Sequence, residues 1–245
     1  MTTHLDKNYP FVSVITPTYN RRRFIPTLIK CYEHQEYRKD RMEWIILDDG
    51  QDKVKDLFDE AAKRIPNLRY IALPEGEKLL IGAKRNRLNQ EAKGPIIVAM
   101  DDDDYYPPCR VSAVVNAFKQ QSKVELAGAS EIYMYYSDIQ KIYKLGPYNP
   151  NHATNGTMAW RKSYAETHKY DETVTHSEER SFLDDYKHPM IQLDPFKVML
   201  VMSHSENTFD KKKMREQENP FVKKTDMKLK TFIKEKEIRE FFTSA

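Results

Sequence analysis

Residues 96–108 read IIVAMDDDDYYPP, an apolar run that ends in four consecutive aspartates, Asp101 to Asp104. An apolar run closed by turn chemistry predicts a short buried strand over residues 96–100, and the prolines beyond it predict a helix from about Pro108 to Gln120. The same alternation runs upstream. Residues 11–16 (FVSVIT) read as a strand, and Ile25, Leu28, Ile29 and Tyr32 then recur at helical spacing behind an early Pro26. Residues 44–47 form a second strand that ends in Asp48-Asp49-Gly50, followed by a helix over 54–64, a third strand over 68–73 and a helix over 83–92. Strands alternating with helices imply right-handed crossovers and an α/β fold, a mostly parallel central sheet flanked by helices on both faces.

Past residue 124 the regularity changes. Residues 132–136 and 142–145 are tyrosine-rich and suit an antiparallel ribbon or mixed-sheet edge, a smaller part beside the main sheet. Residues 177–186 read as a helix, and 196–202 (FKVMLVM) as a buried strand. From residue 222 a charged helix is expected, with Leu229, Phe232 and Ile233 on one side and Met227, Ile238, Phe241 and Phe242 near the other. One stripe can pack on the body; two call for a second surface, so residues 222–242 are a candidate for peripheral membrane or protein contact, with a C-terminal helix docked on its own domain as the equal alternative. The organisation expected is a domain over residues 1–210 with a basic helical tail over 211–245.

The chain of 245 residues is 40% hydrophobic with only 7 glycines, the composition of a globular protein with a full core. Its net charge of +3 is unevenly placed: residues 211–245 hold 11 Lys/Arg against 6 Asp/Glu, and residues 1–210 hold 29 against 31. The body therefore lacks the positive field a nucleic-acid partner needs, which argues against nucleic acid and against a metal-dependent nuclease. Cys31 and Cys109 have neither disulfide-framework nor metal-ligand spacing. The N-terminal residues lack a leader pattern, and no apolar run approaches the ~18–20 residues of a membrane span, so a soluble, cytoplasmic protein is expected.

Ligands of open α/β sheets collect beyond the carboxyl ends of the strands. Here those ends carry Thr16-Pro17-Thr18-Tyr19-Asn20, Asp48-Asp49-Gly50 and the aspartate run. Four aspartates repel one another unless a cation, hydrogen bonds or protonation relieves the charge, and carboxylate oxygens suit Mg²⁺ or Mn²⁺. Such an ion completes its shell with substrate phosphates and water, so the run predicts a divalent cation bridging the protein to a phosphorylated ligand. The competing reading is a solvated acidic turn capping the next helix. Position after a buried strand, matched by Asp48-Asp49 after another, favours the cation.

These features, VSVITPTYN at 12–20, WIILDDG at 44–50, GAKRNRLNQEAKG at 82–94, the DDDD run and SEERSFLDD at 177–185, together resemble the family 2-like glycosyltransferases of GT-A fold over roughly residues 10–205. The resemblance implies glycan biosynthesis with a nucleotide-sugar donor, UDP-linked by the family's habit, lying across the strand ends. Thr16, Thr18 and Tyr19 would border the base, and Asp49, with Asp48 as fallback, would accept from its ring N–H. Asp101 and Asp103 stand at the first and third places of a DxD motif: Asp103 would bind Mn²⁺ or Mg²⁺, and Asp101 or Asp102 the ribose or a metal-bound water. Lys84, Arg85 and Asn86 would face diphosphate or sugar, and Gly156 and Thr157 the donor-sugar and acceptor side. His204, after the last strand, would be a further metal ligand better suited to Mn²⁺. The acidic pair Glu178-Glu179 would hold the catalytic base of an inverting transfer. The family more often has Asp at the second place, so Glu179 reaches one methylene further. Two rivals stand beside this reading. A sugar nucleotidyltransferase would want a glycine-rich phosphate loop, which VITPTYNRRR lacks. A catalytically inactive nucleotide-sugar or glycan-binding module would bind without turnover. The acceptor, whether glycan, lipid or protein, is not legible.

Overall fold

The computed structural model describes residues 9–207, 211–216 and 219–244; residues 1–8, read above for a leader, lie outside the described residues. The alternation appears as β1 (Val12–Thr18), α1 (Ile25–Glu33), β2 (Met42–Asp48), α2 (Lys55–Ala62), β3 (Leu68–Ala72), α3 (Ile81–Glu91), β4 (Ile96–Ala99) and α4 (Arg110–Gln120). Strands β1 and β2 are buried at every position, as central strands covered on both faces must be. β3, β2, β1 and β4 are consecutive parallel neighbours.

The sheet continues through β8 (Ala159–Arg161), β5 (Leu126–Gly128) and β9 (Met190–Gln192) to seven strands, with β8 antiparallel to both β4 and β5. Side-chain alternation divides the core. Val12, Val14, Trp44 and Ile46 face one way, onto α1, α2 and α4, while Ile15, Ile45 and Leu47 face the other, with Leu88, Trp160 and Tyr164.

The tyrosine-rich pieces form the expected hairpin, β6 (Ile132–Tyr136) antiparallel to β7 (Lys141–Leu145). A second sheet places β10 (Leu200–Ser203) beside β6 and β11 (Val222–Lys224) beside β7. Tyr105 and Leu200 exchange backbone hydrogen bonds at 3.1 and 2.9 Å, which fastens the end of the aspartate run to β10.

Three expectations change. The strand expected over 196–202 starts only at Leu200, because Pro195 opens a 3₁₀ turn in which Asp194 accepts from the Phe196 N–H. The helix expected over 177–186 is the single turn α6 (Glu179–Phe182), after α5 (Lys162–Thr167); it ends in a left-handed turn, with φ of 45°, 53° and 62° at Asp184, Asp185 and Tyr186. The tail is not one helix. After α7 (Lys213–Glu216) it contributes β11, then α8 (Leu229–Phe232) and α9 (Lys236–Ser244), with Ile233 extended between them. That break turns both apolar groups inward: Phe232, Ile233, Ile238 and Phe242 are all buried in the main core. The second surface that a straight helix would have required is the protein's own body. Among the described residues no helix is long and apolar enough to cross a membrane.

Candidate active site

The parallel register sets Thr18 beside Asp48, and the Met100 N–H donates to the Ile15 carbonyl, so the three polar strand ends share one rim. Not every residue on it faces outward. Thr16 is fully buried, donating to the Met100 carbonyl at 2.7 Å and accepting from the Trp44 indole at 2.9 Å. Asp48 accepts from the N–H groups of Gly50 (2.8 Å) and Val54 (3.1 Å) and from the Tyr70 hydroxyl. These two brace the rim from beneath; neither is turned toward a base. Gly50 is required here, since a Cβ would lie 2.7 Å from the Asn20 nitrogen.

Asp49 is also enclosed. It pairs with the Lys84 ammonium and accepts from the Leu79 N–H at 2.9 Å. With Lys78, Lys84 flanks the half-buried Tyr19 ring, at 5.3 and 4.1 Å from the centroid for Lys84 and Lys78 respectively. Asn86 turns away from the rim altogether, bonding the Tyr170 backbone in both directions and the Glu172 carboxylate.

The aspartates point four ways. Asp101 meets the Arg85 guanidinium at 3.0 Å. Asp102 lies 3.8 Å from Arg21; burial, then the adjacent Asp103 charge, pushes its carboxyl up to about 8. Asp103 takes the His204 Nε2 at 3.1 Å and the Asn207 amide at 3.2 Å, with Arg21 at 3.9 Å. Burial alone would raise its carboxyl, but the His204 hydrogen bond, reinforced by Lys211 and Arg21, holds it well below the usual range. Asp104 accepts from the Met202 N–H at 2.8 Å, and burial pushes it up to about 7. The turn thus relieves its own repulsion through separate partners, with burial disfavouring charge on Asp102 and Asp104 and the His204 contact favouring it on Asp103.

Arg85 ties this run to the acidic pair. Its Nε donates to Glu178 at 2.9 Å, and Asn155, with its amide oxygen toward the guanidinium, accepts at 2.8 Å while donating to the Tyr170 hydroxyl. Burial would lower the Arg85 pKa, but Asp101 and Glu178 raise it overall. Gly156 packs so tightly that a Cβ would meet the Met199 sulfur at 2.7 Å and the Asp101 carboxylate at 3.1 Å. Thr157 is fully buried, its hydroxyl held by the Thr154 carbonyl and the Ala129 N–H, so it shapes the turn rather than lining a ligand. Glu179, partly exposed at the start of α6, has its carboxyl pushed up to about 7 by burial and the neighbouring Glu178 charge.

The structure therefore gathers Thr18, Tyr19, Asp49, Asp101, Asp102, Asp103, Gly156, Glu178, Glu179 and His204 around one rim. Three contributors were not foreseen. Arg21 follows the TPTYN motif directly, Asn207 lies one turn past His204, and Phe24 packs on the His204 ring at 4.5 Å. The cationic run Arg21-Arg22-Arg23 after a strand end was the signal for the first.

Among the described residues no group of three or more His, Cys, Asp and Glu is arranged to hold a metal. Asp103 and His204 set a carboxylate and an imidazole side by side, the two donors here that could share a cation. The Glu206 N–H donates to His204 Nδ1 at 3.2 Å, which leaves the ring proton on Nε2 for donation to Asp103, so His204 would join a cation's shell only in its other tautomer.

Residues 13–173 match the family model described as glycosyl transferase family 2. Over 95 residues the chain is 32% identical to glycosyltransferase AglE of Haloferax volcanii, covering 38% of this chain and 31% of that protein. Over 96 residues it is 31% identical to the GalNAc(5)-diNAcBac-PP-undecaprenol beta-1,3-glucosyltransferase of Campylobacter jejuni, covering 39% and 30%. The chain thus spans less than half the length of these relatives. In fold it is similar to Staphylococcus aureus TarS 1–349 in complex with UDP-GlcNAc, at TM-score 0.65 and 17% identity over 80% of this chain and 60% of that one. It is likewise similar to the mannosyltransferase PcManGT of Pyrobaculum calidifontis in complex with GDP-Man and Mn²⁺, at TM-score 0.61 and 17% identity over 81% and 58%.

Proposed function

The chain belongs to glycosyl transferase family 2, and from that premise we propose that it transfers a sugar from a nucleoside-diphosphate sugar, UDP-linked, to an acceptor hydroxyl with inversion. The observation that carries this reading is the Arg85 bridge, which joins Asp101 of the acidic run to Glu178 of the acidic pair and so sets a partly exposed carboxylate, Glu179, at the donor rim.

The base would lie against Tyr19 and the Asp49–Lys84 pair, with Asp102 and Asp101 bordering the ribose. Asp103 and His204 would hold Mn²⁺ or Mg²⁺, which when bound supplies positive charge to the leaving diphosphate. Arg21, beside Asp102 and Asp103, lies where its guanidinium would meet the same phosphates. Glu179 would take the acceptor hydroxyl's proton as that oxygen bonds to the anomeric carbon, and the bond from that carbon to the diphosphate oxygen breaks. A carboxyl pushed up to about 7 suits this, since about half of it is ionised at neutral pH and that half is basic enough to accept the proton. The Glu178 carboxylate beside it, although paired with Arg85, still disfavours the ionised form of Glu179 and so strengthens its pull on a proton.

The test is calorimetric titration with UDP, GDP and dTDP in the presence of Mn²⁺, followed by donor turnover. Binding of one nucleotide with release of its sugar is expected. Binding without turnover would leave a nucleotide-sugar-binding module, and no nucleotide binding would end the proposal.

A further inference from the structure

Beyond α6 the surface carries aromatic rings in sequence. Phe221 packs on Tyr148 at a centroid distance of 5.2 Å, Tyr148 on His152 at 5.1 Å, and His152 on Tyr186 at 5.1 Å. Phe221 is 44% exposed and Tyr148 37% exposed, so the two outer rings stack on each other while open to solvent. The backbone beneath the rings is fixed. The Phe221 carbonyl accepts from Gly146, the Tyr148 N–H donates to Ser130, and Gln192 donates to the carbonyls of Pro150 and His152. Asn151 donates to the Tyr186 carbonyl at 3.1 Å.

The inner end of the run belongs to the turn that closes the helix of the proposed base, where the Asp185 N–H donates to the Arg180 carbonyl at 3.0 Å. Tyr186 closes the left-handed turn that follows Glu179–Phe182, and a bulky residue at φ 62° after two others with positive φ is strain of the kind that persists at ligand sites. Burial, and then the Glu179 charge, push the Tyr186 phenol up.

We propose that the run Phe221, Tyr148, His152, Tyr186 is the track along which the acceptor approaches Glu179, and that the acceptor is a carbohydrate chain. The track rests on the reading of Glu179 as the base. Sugar rings present weakly positive C–H faces that suit the negative faces of aromatic rings, while their hydroxyls need polar partners at the rim. Tyr and His supply both. A lipid chain would instead favour an aliphatic groove, and the run contains no aliphatic member.

Saturation-transfer NMR with maltotriose, laminaritriose and chitotriose as probes tests this, alongside UDP calorimetry on the same samples. Saturation of the ring C–H protons of at least one trisaccharide is expected. Its affinity should fall about tenfold or more in the double variant Tyr148→Ala/Phe221→Ala and persist in Tyr148→Phe, which keeps the ring. No binding of any trisaccharide, binding equal in the double variant, or binding of dodecyl phosphate to the rings in their place overturns the track. Loss of UDP binding by the unaltered protein would strike the transferase reading instead, and the saccharide result would still decide whether the rings hold sugar.

Discussion

The His204 imidazole and the Asp103 carboxylate meet at 3.1 Å although 101 positions separate them in the chain. The Tyr105–Leu200 backbone pair brings them together by stitching the end of the acidic turn to β10. Asn207 then braces the pair, its amide donating to Asp103 at 3.2 Å while its Oδ1 accepts from the His204 backbone N–H at 2.8 Å.

Mn²⁺ affinity, read by calorimetry, should respond to this cluster. Asp103→Asn removes an anionic donor and should weaken binding at least about tenfold; Asn207→Ala, which only orients the two donors, should cost roughly 10–100-fold. Unchanged affinity in Asp103→Asn would place the cation elsewhere.

Glu179→Gln should lower turnover by about 10²–10⁴-fold while leaving UDP affinity near that of the unaltered protein. The pH profile follows from the direction of the shift. The Glu179 carboxyl titrates at about 7, so it is protonated and unable to accept a proton below that point. The turnover rate should therefore climb with pH toward about 7 and level off above it. A flat profile from pH 5 to 8 would remove Glu179 as the base.

Arg85→Met strands Asp101 and Glu178 as unpaired charges in a buried setting, at a cost of about 3–5 kcal/mol. Arg85→Lys keeps the charge but loses the fork that reaches both carboxylates and Asn155 at once. Thermal melts should rank the unaltered protein above Arg85→Lys and Arg85→Met lowest; equal melting points would mean the bridge contributes no stability.

Phe242→Ala should destabilise the whole body by about 3–5 kcal/mol, because the ring is buried in the same core as Val12 and Trp44. Denaturant unfolding followed by tryptophan fluorescence reads this, since Trp44 reports on the main sheet. Were the variant to unfold at the same midpoint, the tail would be an independent appendage.

The α/β alternation was legible because each strand end carries its own punctuation. Asp48-Asp49-Gly50 and the aspartate run mark where buried apolar strands reach solvent, and the structure sets both on one rim. The tail was less legible. Helical periodicity assumes a straight element, and the extended Ile233 breaks the phase between Phe232 and Ile238.

By itself, the sequence determined the alternation of strands and helices through about residue 120, the polar rim at the strands' carboxyl ends and the acidic character of that rim, since these follow from local periodicity and turn chemistry. Only the tertiary structure decided what each polar side chain faces. Lys84, Arg85 and Asn86 are consecutive on one helix, yet successive residues there point about 100° apart, so they reach Asp49, Asp101 with Glu178, and the Tyr170 backbone respectively. Local pattern places a residue on an element; the partner it meets depends on which distant strand or loop is packed against that face.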